Sequence, residues 1–191
     1  MSVLIAGMVL FLGIHSIRIV AEGWRARMIA RLGAGPWKGL YSVVAGIGLG
    51  LAIWGFGLAR HDATLLWTPI AGAAHLVGAV MLLVFMLLAA AYVPGNHLAR
   101  WVGHPMVLSV VLWSGAHLLA NGTDVDLIFF GGFFVWALLD FIVARRREPA
   151  AGMGRRLSLA SDAIVVVIGI AAWIAFAFYI HGWMTGIKPF G

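Results

Sequence analysis

The chain has 191 residues, of which 63% are hydrophobic and 10% charged, with a net charge of +6 and no cysteine. A soluble domain carries about 45–50% apolar and roughly 25% charged residues, so this composition excludes an ordinary soluble enzyme and describes an integral membrane protein. The missing cysteine also excludes disulfides, thiolate-ligated metal centres and iron–sulfur clusters held wholly by cysteine.

Six apolar segments are predicted in chain order, over residues 2–20, 40–58, 69–93, 105–120, 127–143 and 163–181. Each approaches the ~20 residues that cross a ~30 Å hydrocarbon core. The first lacks a positive amino-terminal region, and no small-residue cleavage site follows it, so it reads as a retained span. The second is rich in glycine, with Gly46, Gly48, Gly50, Gly55 and Gly57. These let a neighbouring backbone come close, or leave room for a flat cofactor. The third ends in Tyr92-Val-Pro-Gly-Asn96, where Pro94 stops a helix and Gly95-Asn96 favours a tight turn. The fourth ends in the turn-favouring pair Asn121-Gly122. The expected fold is an all-α, polytopic membrane helical bundle of about six transmembrane helices, read as one domain over residues 1–191.

Charge orients the bundle. Alternate loops carry Arg25, Arg27, Arg31 and Lys38, then His97 and Arg100, then Arg145, Arg146, Arg147, Arg155 and Arg156. The positive-inside rule places those loops in the cytoplasm and both termini outside it, in the periplasm where the host is Gram-negative. Arg145-Arg-Arg147 is therefore a topology signal and not a nucleic-acid site. Trp24, Trp37, Trp67, Trp101 and Trp183 fall near span ends, where indoles anchor in the headgroup region. The lipid bilayer is the one partner read directly from composition, and oligomeric state is not legible.

Four histidines lie within or at the edge of the apolar segments: His15, His75, His104 and His117. Hydrocarbon does not solvate an imidazole, so each needs a polar partner or a metal. His61, His97 and His181 read as interfacial polar residues, and His104 doubles as a helix-start residue before Pro105. Depth along the spans pairs His75 with His117 and His15 with His104, because His117 lies about 20 Å beyond His104 at 1.5 Å per residue. Trp113 and Ser114 precede His117, the serine on roughly the same helical face. Imidazole suits heme iron, zinc and copper alike. A flat heme between glycine-rich helices fits apolar surroundings better than a closed zinc site, which wants four ligands at one depth. No HExxH, GxSxG or phosphate-binding glycine loop occurs.

Several motifs together resemble the NnrU family of bacterial membrane proteins over about residues 9–145, leaving the last span, residues 161–181, as an extension. They are Leu12-Gly-Ile-His-Ser16, Lys38-Gly-Leu-Tyr-Ser42, Trp54-Gly-Phe-Gly-Leu-Ala-Arg60, Ala91-Tyr-Val-Pro-Gly-Asn96, Gly103-His-Pro-Met106 and Leu112-Trp-Ser-Gly-Ala-His-Leu-Leu-Ala-Asn-Gly122. The family is named for a link to nitrite and nitric oxide reduction and is similar to the plant 15-cis-zeta-carotene isomerase. The resemblance implies a heme b, one per chain with two as the minority alternative. His15 and His117 are the implied axial ligands. His75 and His104 stand as pocket residues or alternative ligands, and Trp113 and Ser114 as cofactor neighbours. Ser114 stands where the plant enzyme has a cysteine, which removes any thiolate ligand switch. The implied function is redox or nitrogen-oxide-linked work in the inner membrane, beside a respiratory or denitrification complex. Two alternatives stay open: a heme-dependent polyene isomerase, and a non-enzymatic assembly or transport partner. No catalytic residue is assigned.

Overall fold

The computed structural model describes residues 1–147 and 156–190. Arg155 of the basic cluster lies outside the described residues. Eight helices are used below: α1 Ser2–Val20, α2 Glu22–Leu32, α3 Ala34–Ala59, α4 Ala73–Tyr92, α5 His97–Val102, α6 Pro105–Ala120, α7 Asp124–Arg147 and α8 Leu159–Thr185. A single turn over Arg60–Asp62 extends α3, and single π turns interrupt α7 at Leu127–Gly131 and α8 at Phe176–Ile180. Among the described residues the one β feature is an isolated bridge between Leu65 and Thr123. The protein is thus an all-α membrane protein of the helical-bundle class. Among the described residues five helices, α1, α3 with its added turn, α4, α7 and α8, are long and apolar enough to cross a membrane. The remaining apolar helix, α6, has 16 residues and spans about 24 Å at 1.5 Å per residue.

The chain forms two compact units. The first comprises Met1–Trp67 and Gly122–Trp136, and the second Thr68–Asn121 and Ala137–Gly191.

In the first unit α1 and α3 lie side by side with almost nothing between their backbones. Gly48, Ala52 and Gly55 form a buried small-residue stripe on α3, facing Phe11, Gly7 and Leu4 of α1. A methyl group at Gly48 would come within 2.6 Å of the Phe11 backbone nitrogen, and Gly7 and Gly55 are as tightly faced by Leu51-Ala52 and Val3-Leu4. Lipid tails are as apolar as leucine, so helices in a membrane associate by close packing of this kind. Helix α2 falls where sequence reading places only a basic loop. It is amphipathic, with Trp24, Met28 and Leu32 at helical spacing and Arg27 and Arg31 beside them. Trp24 meets Trp37 edge to face, with ring centroids 5.7 Å apart. At the start of α7, Thr123 and Asp126 form a capping box, and the Thr64 carbonyl accepts from the Asp124 N–H at 3.0 Å. Gly122, expected in a turn, is instead required by close approach. It has no positive φ, and its Cα faces the Trp67 carbonyl.

The second unit joins α4, α5, α6 and α8, with more polar fastenings. Gly95 adopts φ 72°, the turn geometry its sequence predicts, and its carbonyl accepts from the Ser158 N–H at 2.9 Å. Asn96 is 2% exposed. Its amide donates to the carbonyls of Ala90 and Val93, and its oxygen caps α5 by accepting from the Ala99 N–H. Ala89, Ala90 and Val165 make the apolar centre of the α4–α8 contact. The Trp173 indole donates to the Gly78 carbonyl at 2.9 Å. Arg145, in the basic end of α7, donates to the Val102 carbonyl at 2.9 Å.

Candidate functional site

His15 stands in the first unit, in the penultimate turn of α1. Its Nδ1 lies 2.7 Å from the Phe11 carbonyl, one turn back. A carbonyl accepts only, so Nδ1 carries the proton, and in the neutral ring the lone pair is on Nε2. Three aromatic rings surround the imidazole. Phe11 is 4.2 Å away between centroids, while Tyr41 at 5.1 Å and Trp136 at 5.6 Å approach edge to face. Ser16, next in the chain, returns its hydroxyl to the Leu12 carbonyl. The Trp136 Nε1 is buried with no hydrogen-bond partner among the described residues. Below this group Phe130 and Phe133 of α7 are buried and meet Phe56 and Phe11. Phe130 and Phe133 therefore form interior packing.

His117 stands in the second unit, in the last turn of α6. It repeats the His15 arrangement: its Nδ1 donates to the carbonyl of Trp113, one turn back, at 2.8 Å. The Trp113 ring lies 5.6 Å from the imidazole. Asn121 donates to the His117 carbonyl at 2.8 Å, so the end of α6 is closed by its own side chain. Ser114 is fully buried, and its hydroxyl donates to the Val110 carbonyl at 2.6 Å.

The other two histidines also belong to the second unit. His75 lies in the first turn of α4, its ring 6.0 Å from that of Phe190, which also meets Trp173 and Phe178. His104 is the residue before α6, with Pro105 in the first helical position, the helix-start role its sequence predicts. Helices α4 and α6 pack against each other after the chain turns back through α5. His75 and His117 thus fall at one end of that pair and His104 at the other, the order that depth along the spans predicts.

Two arrangements were not legible beforehand. Trp136 and Tyr41 reach His15 from helices distant in sequence, although Tyr41 belongs to one of the motifs noted above. His97 is tied to Asp162, which lies 65 residues further on. No local pattern signals that contact. A closed zinc site needs four ligands in one place, and no group of three or more His, Asp or Glu side chains is gathered among the described residues.

The family described as NnrU protein matches residues 3–189. The chain belongs to the NnrU family. The match takes in α8, which the motifs had left as an extension beyond residue 145. No curated protein and no solved structure matches the chain.

Proposed function

We propose that the protein is a heme-b-binding redox protein of the bacterial inner membrane, linked to nitrogen-oxide respiration, with His15 and His117 as iron ligands. One observation carries the reading. Both histidines hold Nδ1–H on the carbonyl one turn back in their own helix, which assigns the lone pair to Nε2. Metal-ligating imidazoles are held in this manner, since a bond from one nitrogen fixes the tautomer and ring orientation and raises the basicity of the other. Sequence resemblance supplies the pairing of the two.

The surroundings of His15 fit a flat, apolar group with a polar edge. Phe11, Tyr41 and Trp136 offer ring faces and edges, and the buried Trp136 N–H is a donor suited to a peripheral carboxylate. Trp113 offers a further ring beside His117. A b-type heme held by two neutral imidazoles supplies one-electron transfer. The chain's part is to hold both imidazoles in one tautomer, to exclude water through the aromatic shell, and to donate from Trp136. The loops rich in arginine face the cytoplasm in this reading, which leaves both termini outside it.

The test is an absorption spectrum of the detergent-purified protein, oxidised and dithionite-reduced, with a pyridine extract to count heme b. One heme per chain with sharp reduced α and β bands is expected. His15→Ala and His117→Ala should each lose the low-spin spectrum. Colourless protein after expression with ample heme, or full heme in both alanine variants, overturns the reading.

A further inference from the structure

The second unit holds a cavity that the heme reading does not use. It measures about 430 Å3, within the ~300–1,000 Å3 range of small-molecule sites. Met86 of α4, Leu98 and Trp101 of α5, and Val165 and Val166 of α8 line it, and its two polar members are His97 and Asp162.

Those two residues form an oriented pair. Asp162 accepts from the His97 backbone N–H at 2.8 Å and from the His97 ring Nδ1 at 2.6 Å. The first bond alone would fasten the start of α5 to α8. The second fixes the ring, assigns the proton to Nδ1, and leaves Nε2 as the acceptor with a carboxylate behind it. Imidazole and carboxylate so arranged accept a proton or a hydrogen bond from a hydroxyl group.

The rest of the lining selects what carries that hydroxyl. It is almost wholly apolar, so the ligand is mainly apolar with one polar head. Trp101 is 75% exposed, with its ring 6.2 Å from the His97 ring, and Met86 adds a thioether. Indole faces and thioether sulfur both favour a flat aromatic head. An acyl chain would use neither of them, nor the imidazole. Asp162 lies in the first turn of a membrane-spanning helix, so a molecule dissolved in the bilayer reaches the cavity with its head at the span's end.

We propose that this cavity binds a lipid-soluble hydroquinone, its hydroxyl donating to His97 Nε2 and its ring lying against Trp101. The site is independent of the heme reading, since binding alone is claimed and none of its lining residues is used by that reading.

The probe is decylubiquinol, titrated under argon into the full-length protein in lipid nanodiscs and read by calorimetry. Its dimethyl ether, which keeps the ring and tail but has no hydroxyl to donate, is the control ligand. Saturable binding at one site per chain is expected. The ether should bind at least tenfold more weakly, as should decylubiquinol to His97→Phe, and Val166→Trp should fill the cavity and abolish binding. Equal affinity for the quinol and its ether overturns the proposal and leaves an acyl-chain groove, as does unchanged quinol binding by His97→Phe. Should His97→Phe fail to fold, the comparison of the two ligands on the unaltered protein still decides.

Discussion

The two units hold their helices together with different emphasis. In the first, α1 and α3 meet backbone to backbone through Gly7, Gly48, Ala52 and Gly55, and the side-chain hydrogen bonds of His15 and Ser16 stay within α1, while outside this pair a side chain reaches between elements where Asp124 accepts from the Thr64 N–H. In the second, side chains reach between elements: Trp173 to Gly78, His97 to Asp162, and Asn96 across the α4–α5 corner. A small-residue seam tolerates no added volume but asks little of polar chemistry. A hydrogen-bonded joint tolerates changes of volume better and fails when a donor is removed. Each histidine follows its setting. His15 is enclosed by rings carried on closely packed helices, while His117 ends a helix closed by Asn121.

The largest effect should come from adding volume to the seam. Gly48→Leu would drive a side chain into the Phe11 backbone. Overpacking of a rigid contact costs about 1–3 kcal/mol or more, and here the obstacle is main chain, which cannot rotate away. Loss of most folded protein, seen by fluorescence-detected size-exclusion chromatography, is expected. Gly46→Leu is the matched control. Nothing lies within 4 Å of its added Cβ, and leucine is favoured over glycine in a helix by up to ~1 kcal/mol. Equal behaviour of the two variants would break the comparison.

The second unit should fail through its donors and acceptors. Asn96→Ala removes three hydrogen bonds at a buried corner and leaves the Ala90 carbonyl without its side-chain donor. Each buried polar group stripped of its partner costs about 1–3 kcal/mol, so a clear fall in thermal midpoint is expected. Asn96→Asp should recover part of it, because the oxygen that caps α5 remains. Trp173→Phe should cost less, about 0.6 kcal/mol, a typical value for one interhelical bond in a membrane. A larger loss for Trp173→Phe than for Asn96→Ala would invert the ranking and refute the account.

Much of this contrast was legible in the sequence, and the limit falls at long range. The apolar segments announce the helices, because in hydrocarbon every backbone polar group must be satisfied within its own segment. The glycines of α3 announce close packing, although only the fold separates Gly48 and Gly55, which face α1, from Gly46, Gly50 and Gly57, which meet nothing. Helix α2 was missed because its arginines mark a loop in a topology reading while its 3.6-residue period is only three turns long. At the candidate site, the histidines stand out as expensive residues in apolar runs. Their i−4 carbonyl bonds were not legible, since His181, also helical, turns its Nδ1 to the Ile187 carbonyl instead. The His97–Asp162 pair and the Trp136 approach to His15 depend on how separate helices meet, which no local pattern encodes.

Trp136 offers the smallest stability change and the most informative one. Its indole N–H is buried without a partner among the described residues, and a neutral polar group so placed costs roughly 1–3 kcal/mol in proteins. Phenylalanine keeps an aromatic ring beside His15 and removes that donor. Trp136→Phe should therefore leave the thermal midpoint of heme-free protein unchanged or slightly higher. In heme-loaded protein the sign should reverse, because the lost donor is the one proposed to meet the cofactor's polar edge. Heme retention during gel filtration should drop, while the low-spin spectrum of the remainder persists because His15 and His117 are untouched. A midpoint that falls in heme-free protein would mean the indole contributes packing that phenylalanine does not replace. Unaltered heme retention would show that the N–H has no part in holding the group.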